Sequence, residues 1–348
     1  MRSDLPQSAA FDTLRPEPPK VQPAEGPVVS ALRLALGLSP ETCVGQLVVD
    51  GRPLAGKYVV EGEGRKVFVK RVPPNGYDNH MLADEIAGHA ASRGASVASL
   101  LEGYPKKAPD GFYFFAYPYL NHRYCLSTEA DLSALGAALA RLHVALRDFP
   151  GIEKIRGLTS KRYSELGELK AGIDAKTRHL AGVPAEVAAC LRRQPFPPGA
   201  LSDANVQLIH GDLNYSNACF PFETGEPQLI DFESSPRSYL SSDCDLAQVL
   251  DRFILTAPHH LWSGLFTAFS SSYARESGSA MPDTERLLSL ISHLATRSLL
   301  LLCLRHEAGD SVDASEWRKF TRTYARISGV DRSELPTQQD TILPPRDR

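Results

Sequence analysis

The sequence lacks the features that mark several large classes of protein. None of its six cysteines belongs to a C-x-x-C pair, which argues against a zinc site and indicates reduced thiols. The most apolar run, at residues 299–304, is far shorter than the ~20 residues that a membrane-spanning helix needs. The N-terminus shows no apolar segment typical of a secretory signal. These absences together predict a cytoplasmic protein with no membrane partner.

The sequence also lacks a strong charge of either sign. Its formal net charge is −3 and its isoelectric point is near 6.4. Because a nucleic-acid-binding surface usually shows as a basic excess, we expect no nucleic-acid partner. The hydrophobic share of 43% excludes a disordered or collagen-like chain, and 348 residues suffice for two lobes. The oligomeric state is left open.

Two end segments are predicted to be flexible. Residues 1–27 are rich in Pro, Glu and Ser and have no periodic pattern, and residues 335–348 are similar. Between them, residues 28–120 contain mostly strand-like patterns, whereas residues 121–334 are mainly helical. We therefore expect an α+β fold with a small β-rich N-terminal lobe and a larger α-helical C-terminal lobe.

The N-terminal half shows three short strands followed by a helix. The strands are expected at residues 46–50, 57–61 and 66–71, separated by glycine-containing turns typical of hairpins. A helix is predicted at 78–92, with Asp78 or Asn79 as its N-cap and Gly94 just past its end. An aromatic strand follows at 111–120.

The C-terminal half opens with a strongly periodic helix. Apolar residues from Leu132 to Phe149 recur in steps of three and four, which predicts a helix capped by Ser127 or Thr128. Strands are expected at 207–209 and 228–231, and the segments 162–195 and 243–330 are predicted to be mostly helical.

The clearest signal for chemistry lies in the segments HGDLNYSN at 210–217 and LIDFE at 229–233. Asp212 and Asn217 are five residues apart on an irregular loop, and Asp231 ends a second apolar strand. A hairpin between the two strands would bring these side chains together. Carboxylate and amide oxygens suit Mg²⁺, which shares its coordination shell with phosphates. A carboxylate that is not bound to metal can accept a proton from an attacking hydroxyl.

These spacings match the template of a kinase active site. The sequence resembles the aminoglycoside phosphotransferase/choline kinase-like family of small-molecule kinases. The family motifs H-G-D-x-x-x-x-N, I-D-[FW]-E and D-L-A correspond to residues 210–217, 230–233 and 245–247. The resemblance is strong over 207–250 and moderate over 57–146. It implies a two-lobed protein-kinase-like fold that binds ATP or GTP with Mg²⁺ between the lobes.

The resemblance also implies roles for individual residues. Asp212 would be the catalytic base, and His210 would brace its loop. Asn217 and Asp231 would be the Mg²⁺ ligands. Asp245 would be a structural acid that caps the following helix.

A kinase further needs a strand lysine that reaches the nucleotide phosphates and a helix glutamate that pairs with it. Lys70 on the third predicted strand and Glu85, fifteen residues later, are the candidates. Lys66 and Arg71 remain alternatives to Lys70, and Asp84 remains an alternative to Glu85.

The nucleotide base is expected against the aromatic linker at 117–120, where Tyr117 and Tyr119 are the candidate contacts. The loop at 51–56 has no G-x-G-x-x-G, so the contacts that cover the phosphates stay open.

The acceptor is expected to be a hydroxyl group of a small molecule. Gly211 stands where protein kinases have an arginine, Glu233 stands where they have a glycine, and only fifteen residues run from Asp231 to Asp245. The acceptor is expected to be an antibiotic or related metabolite, with Glu233 a candidate acceptor-site residue. An amino-alcohol or homoserine-type kinase is the alternative. A protein-serine/threonine kinase and a non-catalytic nucleotide-binding regulatory module are alternatives of other classes.

Overall fold

The computed structural model describes residues 19–49, 51–62, 64–178, 180–196, 205–330 and residue 335. Over these residues the chain forms a small lobe built on one antiparallel sheet and a larger, mainly helical lobe. The two-lobed α+β fold predicted from the sequence is confirmed. The chain passes from the small lobe to the large one after Pro118.

The small lobe contains one sheet, in which six strands of the described chain pair in the order β1-β2-β3-β4-β6-β5. The strands are Lys20–Pro23 (β1), Cys43–Val49 (β2), Arg52–Gly62 (β3), Arg65–Val72 (β4), Lys106–Lys107 (β5) and Tyr113–Pro118 (β6). Val60 of β3, Val69 of β4 and Phe114 of β6 are buried in one core cluster. The cluster also contains Leu32 of helix α1 (Pro27–Leu36). The predicted hairpins are therefore present.

Strand β1 corrects the predicted N-terminal tail of residues 1–27. Lys20 lies opposite Val48 of β2, so the sheet begins seven residues before the predicted boundary. Residues 1–18 and 336–348 lie outside the described residues. Leu335, the first residue of the predicted C-terminal tail, is buried in the core of the large lobe.

Helix α2 (Tyr77–Ser92) lies between the sheet and the large lobe. Its position agrees with the predicted helix, but a short 3-10 turn precedes it and no side chain caps its N-terminus. Asn79, a predicted cap, instead donates a hydrogen bond to the backbone carbonyl of Glu233, 3.0 Å away. Leu82 and Ile86 on its inner face are buried in the core of the large lobe. Gly94, with φ of +85°, follows its end as predicted.

The large lobe is built on helices. They are Glu129–Leu146 (α3), Ile152–Asp174 (α4), Ala185–Arg193 (α5), Asp243–Val249 (α6), Trp262–Ser277 (α7), Thr284–Glu307 (α8) and Ala314–Ser328 (α9). Thr128 caps α3 by accepting the backbone N–H of Asp131, as the sequence predicts. Gly136 lets α3 approach α7 closely, because a Cβ there would lie 2.4 Å from the backbone oxygen of Phe269.

Helix α8 is long and apolar enough to cross a membrane by length and composition, but 72% of its apolar stretch is buried inside the protein. Its apolar residues, including Leu299 and Leu300, are part of the core that α8 forms with α4, α5 and α9. Packing in the large lobe therefore accounts for this composition.

Short strands in the large lobe frame the loop at 210–217, which we call the HGD loop. β7 (His122–Tyr124), β9 (Ala218–Pro221) and β10 (Gln228–Leu229) form one sheet, and β8 (Val206–Leu208) pairs with β11 (Tyr239–Ser241). The prediction of a hairpin between the segments 207–209 and 228–231 is therefore wrong, because these segments belong to different sheets. The partner of β10 is β9, a four-residue strand buried throughout. Without polar alternation, β9 carries no strand signal in the sequence.

Candidate active site

A buried carboxylate at the start of α6 holds the HGD loop. The Asp245 side chain accepts hydrogen bonds from the backbone N–H of His210 at 2.9 Å and of Gly211 at 2.8 Å. It also lies 3.0 Å from Nε2 of His143, whose Nδ1 is 2.8 Å from the Tyr273 hydroxyl. The expectation that Asp245 caps α6 is wrong, since its oxygens bond the loop instead.

His210 joins the two motif segments. Its imidazole is fully buried, and Nε2 lies 2.9 Å from the carbonyl oxygen of Ile230. Nδ1 accepts the backbone N–H of Asp212 at 3.3 Å, so Nε2 carries the proton and donates it to Ile230. Both ring nitrogens are occupied by backbone groups. His210 is thus a positioning residue, which agrees with its expected bracing role and gives it no access to a substrate.

Asp212 carries its carboxylate on the surface of the site. Its Oδ1 accepts a hydrogen bond from Nη1 of Arg252 at 2.8 Å. Partial burial on its own would raise the pKa of Asp212, but the Arg252 guanidinium outweighs it and holds that pKa below its usual value. Arg252 lies in the π-helical turn Leu250–Ile254 that follows α6. Asp212 is therefore ionised at neutral pH and able to accept a proton or hydrogen bond.

Asn217 and Asp231 are brought together by the backbone. The N–H of Ile230 donates to the carbonyl of Asn217 at 3.0 Å. Nδ2 of Asn217 donates to the backbone carbonyl of Asp212 at 2.8 Å, and its side-chain oxygen, which accepts from Oγ of Ser216 at 3.3 Å, has a second lone pair for a ligand. Asp231 has φ of +66°, a left-handed conformation uncommon for a residue with a side chain and characteristic of functional sites. The pair offers two oxygen ligands of the kind Mg²⁺ prefers.

Lys70 makes two ion pairs across the lobes. Its ammonium group lies 3.0 Å from Oδ1 of Asp231 and 2.6 Å from Oε1 of Glu233. Burial on its own would lower the pKa of Lys70, but the two carboxylates raise it above its usual value, so the lysine stays charged. Nε2 of His80 on α2 is a third partner of this cluster, 3.0 Å from Glu233.

Two predicted roles need correction. Glu85 is exposed on α2 and is not the partner of Lys70. Glu233 was expected in the acceptor site, but it supplies the second ion pair of Lys70. His80 and Asp84 are four residues apart, so they share one face of α2, and both line the cleft. Glu85 lies on another face and does not line the cleft. No local pattern in the sequence indicates that Glu233 replaces the helix carboxylate.

Asp84 has a different partner from the one considered in the sequence. Its carboxylate accepts the Tyr117 hydroxyl at 3.1 and 3.2 Å. Burial raises the pKa of Asp84 to about 6, against the opposing effects of Tyr117 and Lys70. The same pair holds the Tyr117 ring in place at the wall of the cleft.

The cleft between the lobes encloses a cavity of about 610 Å³. The polar side chains on its wall include Lys70, Asn217 and Asp231. Tyr117 and Tyr119, the predicted contacts of the nucleotide base, also line it. The volume is within the usual range for a site that holds a nucleotide-sized ligand.

A second cavity of about 310 Å³, here called the side cavity, adjoins the cleft. Gly211 and Asp212 line the side cavity and not the cleft. The residues that line both cavities are Asp251, Arg252, Lys319, Phe320 and Thr323. Asp212 thus lines the side cavity, whereas Asn217 and Asp231 line the cleft that adjoins it.

Three residues of the site were missed by reasoning from the sequence. His80 could have been found from its four-residue spacing to Asp84. Arg252 belongs to none of the motifs found in the sequence. Lys319 belongs to α9, more than a hundred residues after Asp212, and no motif marks it.

The order and geometry of these residues can now be compared with known proteins. The sequence model of the phosphotransferase enzyme family (APH) matches residues 52–277, which is more than half of the chain. The chain belongs to this APH family. A search of curated protein sequences found no match.

Several solved structures share the fold of this APH-family chain. Choline kinase LicA from Streptococcus pneumoniae superposes with a TM-score of 0.57 at 16% identity, over 87% of this chain and 98% of that one. The GDP and kanamycin complex of APH(2")-IIia gives 0.54 at 15% identity, over 86% and 97%. Spectinomycin phosphotransferase APH(9)-Ia, solved with ADP and spectinomycin, gives 0.52 at 13% identity, over 90% and 100%. At these identities the likeness shows the common fold.

The family match has a boundary that bears on the site. It runs from the start of β3 to the end of α7 and includes Lys70, the HGD loop and Asp231. Helices α8 and α9, which complete the side cavity of this APH-family chain, lie beyond it. The motif residues are thus inside the family match, whereas much of the side cavity is not.

Proposed function

We propose that this phosphotransferase moves the γ-phosphoryl group of ATP or GTP, bound with Mg²⁺, to a hydroxyl of a small molecule. The observation that carries the proposal is that Asp231 and Asp212 line two adjoining cavities that share part of their lining. One cavity offers oxygen ligands and a lysine, and the other offers an ionised carboxylate. That division suits a nucleotide in the cleft and a hydroxyl acceptor in the side cavity.

The fit to a divalent cation follows from the donor set. Asn217 and Asp231 would hold Mg²⁺ through one amide and one carboxylate oxygen. Within the described residues no three His, Cys, Asp or Glu side chains form a cage of their own. Such a site suits an ion that completes its shell with waters and phosphate oxygens. When bound, Mg²⁺ supplies neutralisation of the charge that develops on the phosphate oxygens.

Nucleotide binding is supported by the cleft and by the structural relatives. The relatives were solved with GDP, AMP or ADP. In this chain Lys70 would supply positive charge to the phosphates, and Glu233 would keep it oriented from its other side. Tyr117 and Tyr119 would flank the base.

In the proposed reaction a hydroxyl oxygen of the acceptor forms a bond to the γ-phosphorus while the bond from that phosphorus to the bridging oxygen of the nucleoside diphosphate breaks. The hydroxyl proton passes to Asp212, and the diphosphate leaves with the bonding electron pair. Arg252 orients the Asp212 carboxylate and keeps it ionised before the proton arrives. Catalysis consists mainly of positioning and charge compensation.

A small-molecule acceptor is supported by the segment after Asp231. That segment folds at once into the 3-10 turn Phe232–Arg237 and the strand β11, and it then enters α6. Ser235 is buried there and donates its hydroxyl to the His210 carbonyl at 2.9 Å. A segment so short and so firmly packed leaves little chain for a peptide-binding platform. The structural relatives include a complex with kanamycin, a complex with spectinomycin and a choline kinase, all of which concern small molecules.

The test uses the purified full chain with Mg²⁺ and radiolabelled ATP or GTP. It measures transfer of the labelled phosphoryl group from the nucleotide to each of a panel of hydroxylated compounds. Asp212→Asn should keep nucleotide affinity but lower kcat by roughly 10²–10⁴, the range for a positioned acid–base group. Asp231→Ala should remove the Mg²⁺ dependence of nucleotide binding. The matched control is Asp174→Asn, since Asp174 pairs with Lys170 on α4, outside both cavities.

Two results would contradict the proposal. A near-normal kcat in Asp212→Asn would exclude this carboxylate as the base. Nucleotide affinity in the unmodified protein that is equal with and without Mg²⁺ would exclude the proposed cation site.

A further inference from the structure

The side cavity contains a buried positive charge that no carboxylate of the described residues pairs with. Arg297 of α8 lines this cavity with only 8% of its surface exposed. Its Nε atom is buried and has no hydrogen-bond partner. No carboxylate of the described chain lies within ion-pair distance of its guanidinium. A buried charge without a partner is costly, and native proteins normally pair it.

The surroundings of Arg297 do not supply a partner either. Tyr163 on α4 and His293 on α8 are influenced by its charge, and each has a buried polar atom without a hydrogen bond. Burial, together with Arg297, lowers the pKa of His293 to about 4, so His293 is neutral. Arg297 and these two neighbours thus each have a buried polar atom without a hydrogen bond, and of the three only Arg297 lines the side cavity, where a ligand can supply a partner.

The remaining charges of the side cavity are close to balanced and do not offset Arg297. Asp212 is neutralised by Arg252, and Asp251 is neutralised by Arg326 at 2.7 Å. Lys319 of α9 forms no ion pair with the described residues. The exposed carboxylate of Glu316 lies near it. A polycationic acceptor would find few free carboxylates here, whereas an anionic acceptor would meet an uncompensated guanidinium.

We infer that the acceptor carries an anionic group, a carboxylate or a phosphate, which binds Arg297 while a hydroxyl of the same molecule meets Asp212. The role of the hydroxyl rests on the proposed function, but anion binding at Arg297 does not require it. A guanidinium matches the geometry of both anions through paired N–H donors. A cavity of about 310 Å³ is at the lower end of ligand sites and suits a small hydroxylated acid better than a multi-ring compound.

The test compares compounds that share hydroxyl groups and differ in charge. Gluconate, glucose and glucosamine form one set, and glycerate, glycerol and serinol form another. Glucose 6-phosphate, inorganic phosphate and sulfate separate a carboxylate preference from a phosphate preference. Binding is measured by calorimetry on the full chain in chloride buffer, with and without Mg²⁺ and ADP.

Arg297→Gln is the decisive variant, and Arg322→Gln on the exposed side of α9, outside both cavities, is its matched control. We expect anions to bind at least tenfold more tightly than their neutral and cationic counterparts. Arg297→Gln should weaken anion binding by about 10- to 100-fold and leave the neutral compounds and the nucleotide unchanged. Arg297→Lys should retain part of the anion preference.

Folding is followed by thermal unfolding of the same samples. Loss of an unpaired buried charge is expected to leave the unfolding midpoint of Arg297→Gln at or above that of the unmodified protein, with no further rise when anions are added. The inference is wrong if no anion of the panel binds the unmodified protein more tightly than Arg297→Gln, or if a cationic compound is preferred.

Phosphoryl transfer, measured in parallel, separates the two proposals. Anion binding through Arg297 without any transfer would leave the anion site standing and refute the kinase activity. Transfer to a cationic acceptor, unaffected by Arg297→Gln, would leave the kinase activity standing and refute the anionic acceptor.

Discussion

Replacing Gly211 by alanine tests whether the HGD loop is held in one conformation by its packing. Gly211 has φ of +81°, and a Cβ there would lie 2.2 Å from Oγ and 2.8 Å from Cβ of Ser238. Ordinary contacts begin near 3.4 Å, so the loop or Ser238 must move by about 1 Å. The backbone conformation costs ~1–2 kcal/mol for a residue with a side chain, and the overlap costs ~1–3 kcal/mol more.

The expected result for Gly211→Ala is a loss of ~2–5 kcal/mol in the free energy of unfolding. Because Asp212 is the next residue, a shift of about 1 Å should also lower kcat by roughly 10²-fold. The first quantity is measured by denaturant titration and the second by release of the nucleoside diphosphate. Nucleotide affinity should change less than kcat, since Gly211 and Asp212 do not line the cleft.

Gly225→Ala is a matched control for the backbone effect alone. Gly225 has φ of +70° in the turn between β9 and β10, but a Cβ there meets nothing within 4 Å. It should lose only ~1–2 kcal/mol and keep full activity. Adding Ser238→Gly to Gly211→Ala should restore part of both losses, because it removes both close contacts. Equal effects of the two alanine variants, or no rescue by Ser238→Gly, would refute the steric explanation.

Three further predictions concern the charges of the site. Lys70→Met should raise the KM for nucleotide and lower kcat by roughly 10²-fold in steady-state assays, whereas Lys66→Met, which loses a surface pair with Glu61, should do little. Asp84 has a pKa raised to about 6, so the folded state holds its proton more tightly than the unfolded chain does, and the free energy of unfolding falls as pH rises from about 4 to 6. The fall is at most about 3 kcal/mol. Asp84→Asn should abolish it when unfolding is measured as a function of pH. Arg252→Met should raise the pKa of Asp212 and move the acid limb of the kcat/KM profile to higher pH, and an unmoved limb would exclude that pairing.

The sequence predicted those parts of the molecule that short-range patterns determine. Asp212 and Asn217 lie in one loop, so their spacing is a local pattern. Asp231 comes directly after Ile230, whose backbone N–H donates to the carbonyl of Asn217 in that loop. The helix α3 was predicted with its cap because apolar periodicity and an N-cap residue are both local. The fold class followed from the change in pattern between the two halves of the chain.

The errors concern contacts between distant segments. Lys70 and Glu233 are 163 residues apart, and no local pattern favours Glu233 over Glu85 as the lysine's partner. The strand β9 was missed because it is short and buried on both faces. Arg297 of α8 reaches the side cavity only through the packing of α8 against α4 and α9. Such residues acquire their surroundings from tertiary structure, which periodicity does not reveal.

The position of helix α2 has a consequence for how the activity is regulated. In kinases whose lysine pairs with a helix glutamate, displacement of that helix switches the enzyme off. Here Leu82 and Ile86 anchor α2 in the core of the large lobe, and the partners of Lys70 come from the segment after β10. Swinging α2 outward would expose apolar surface and separate His80 from Glu233, but both ion pairs of Lys70 would remain. We therefore expect the protein to be constitutively active, with its output set by the amount of protein and the supply of acceptor.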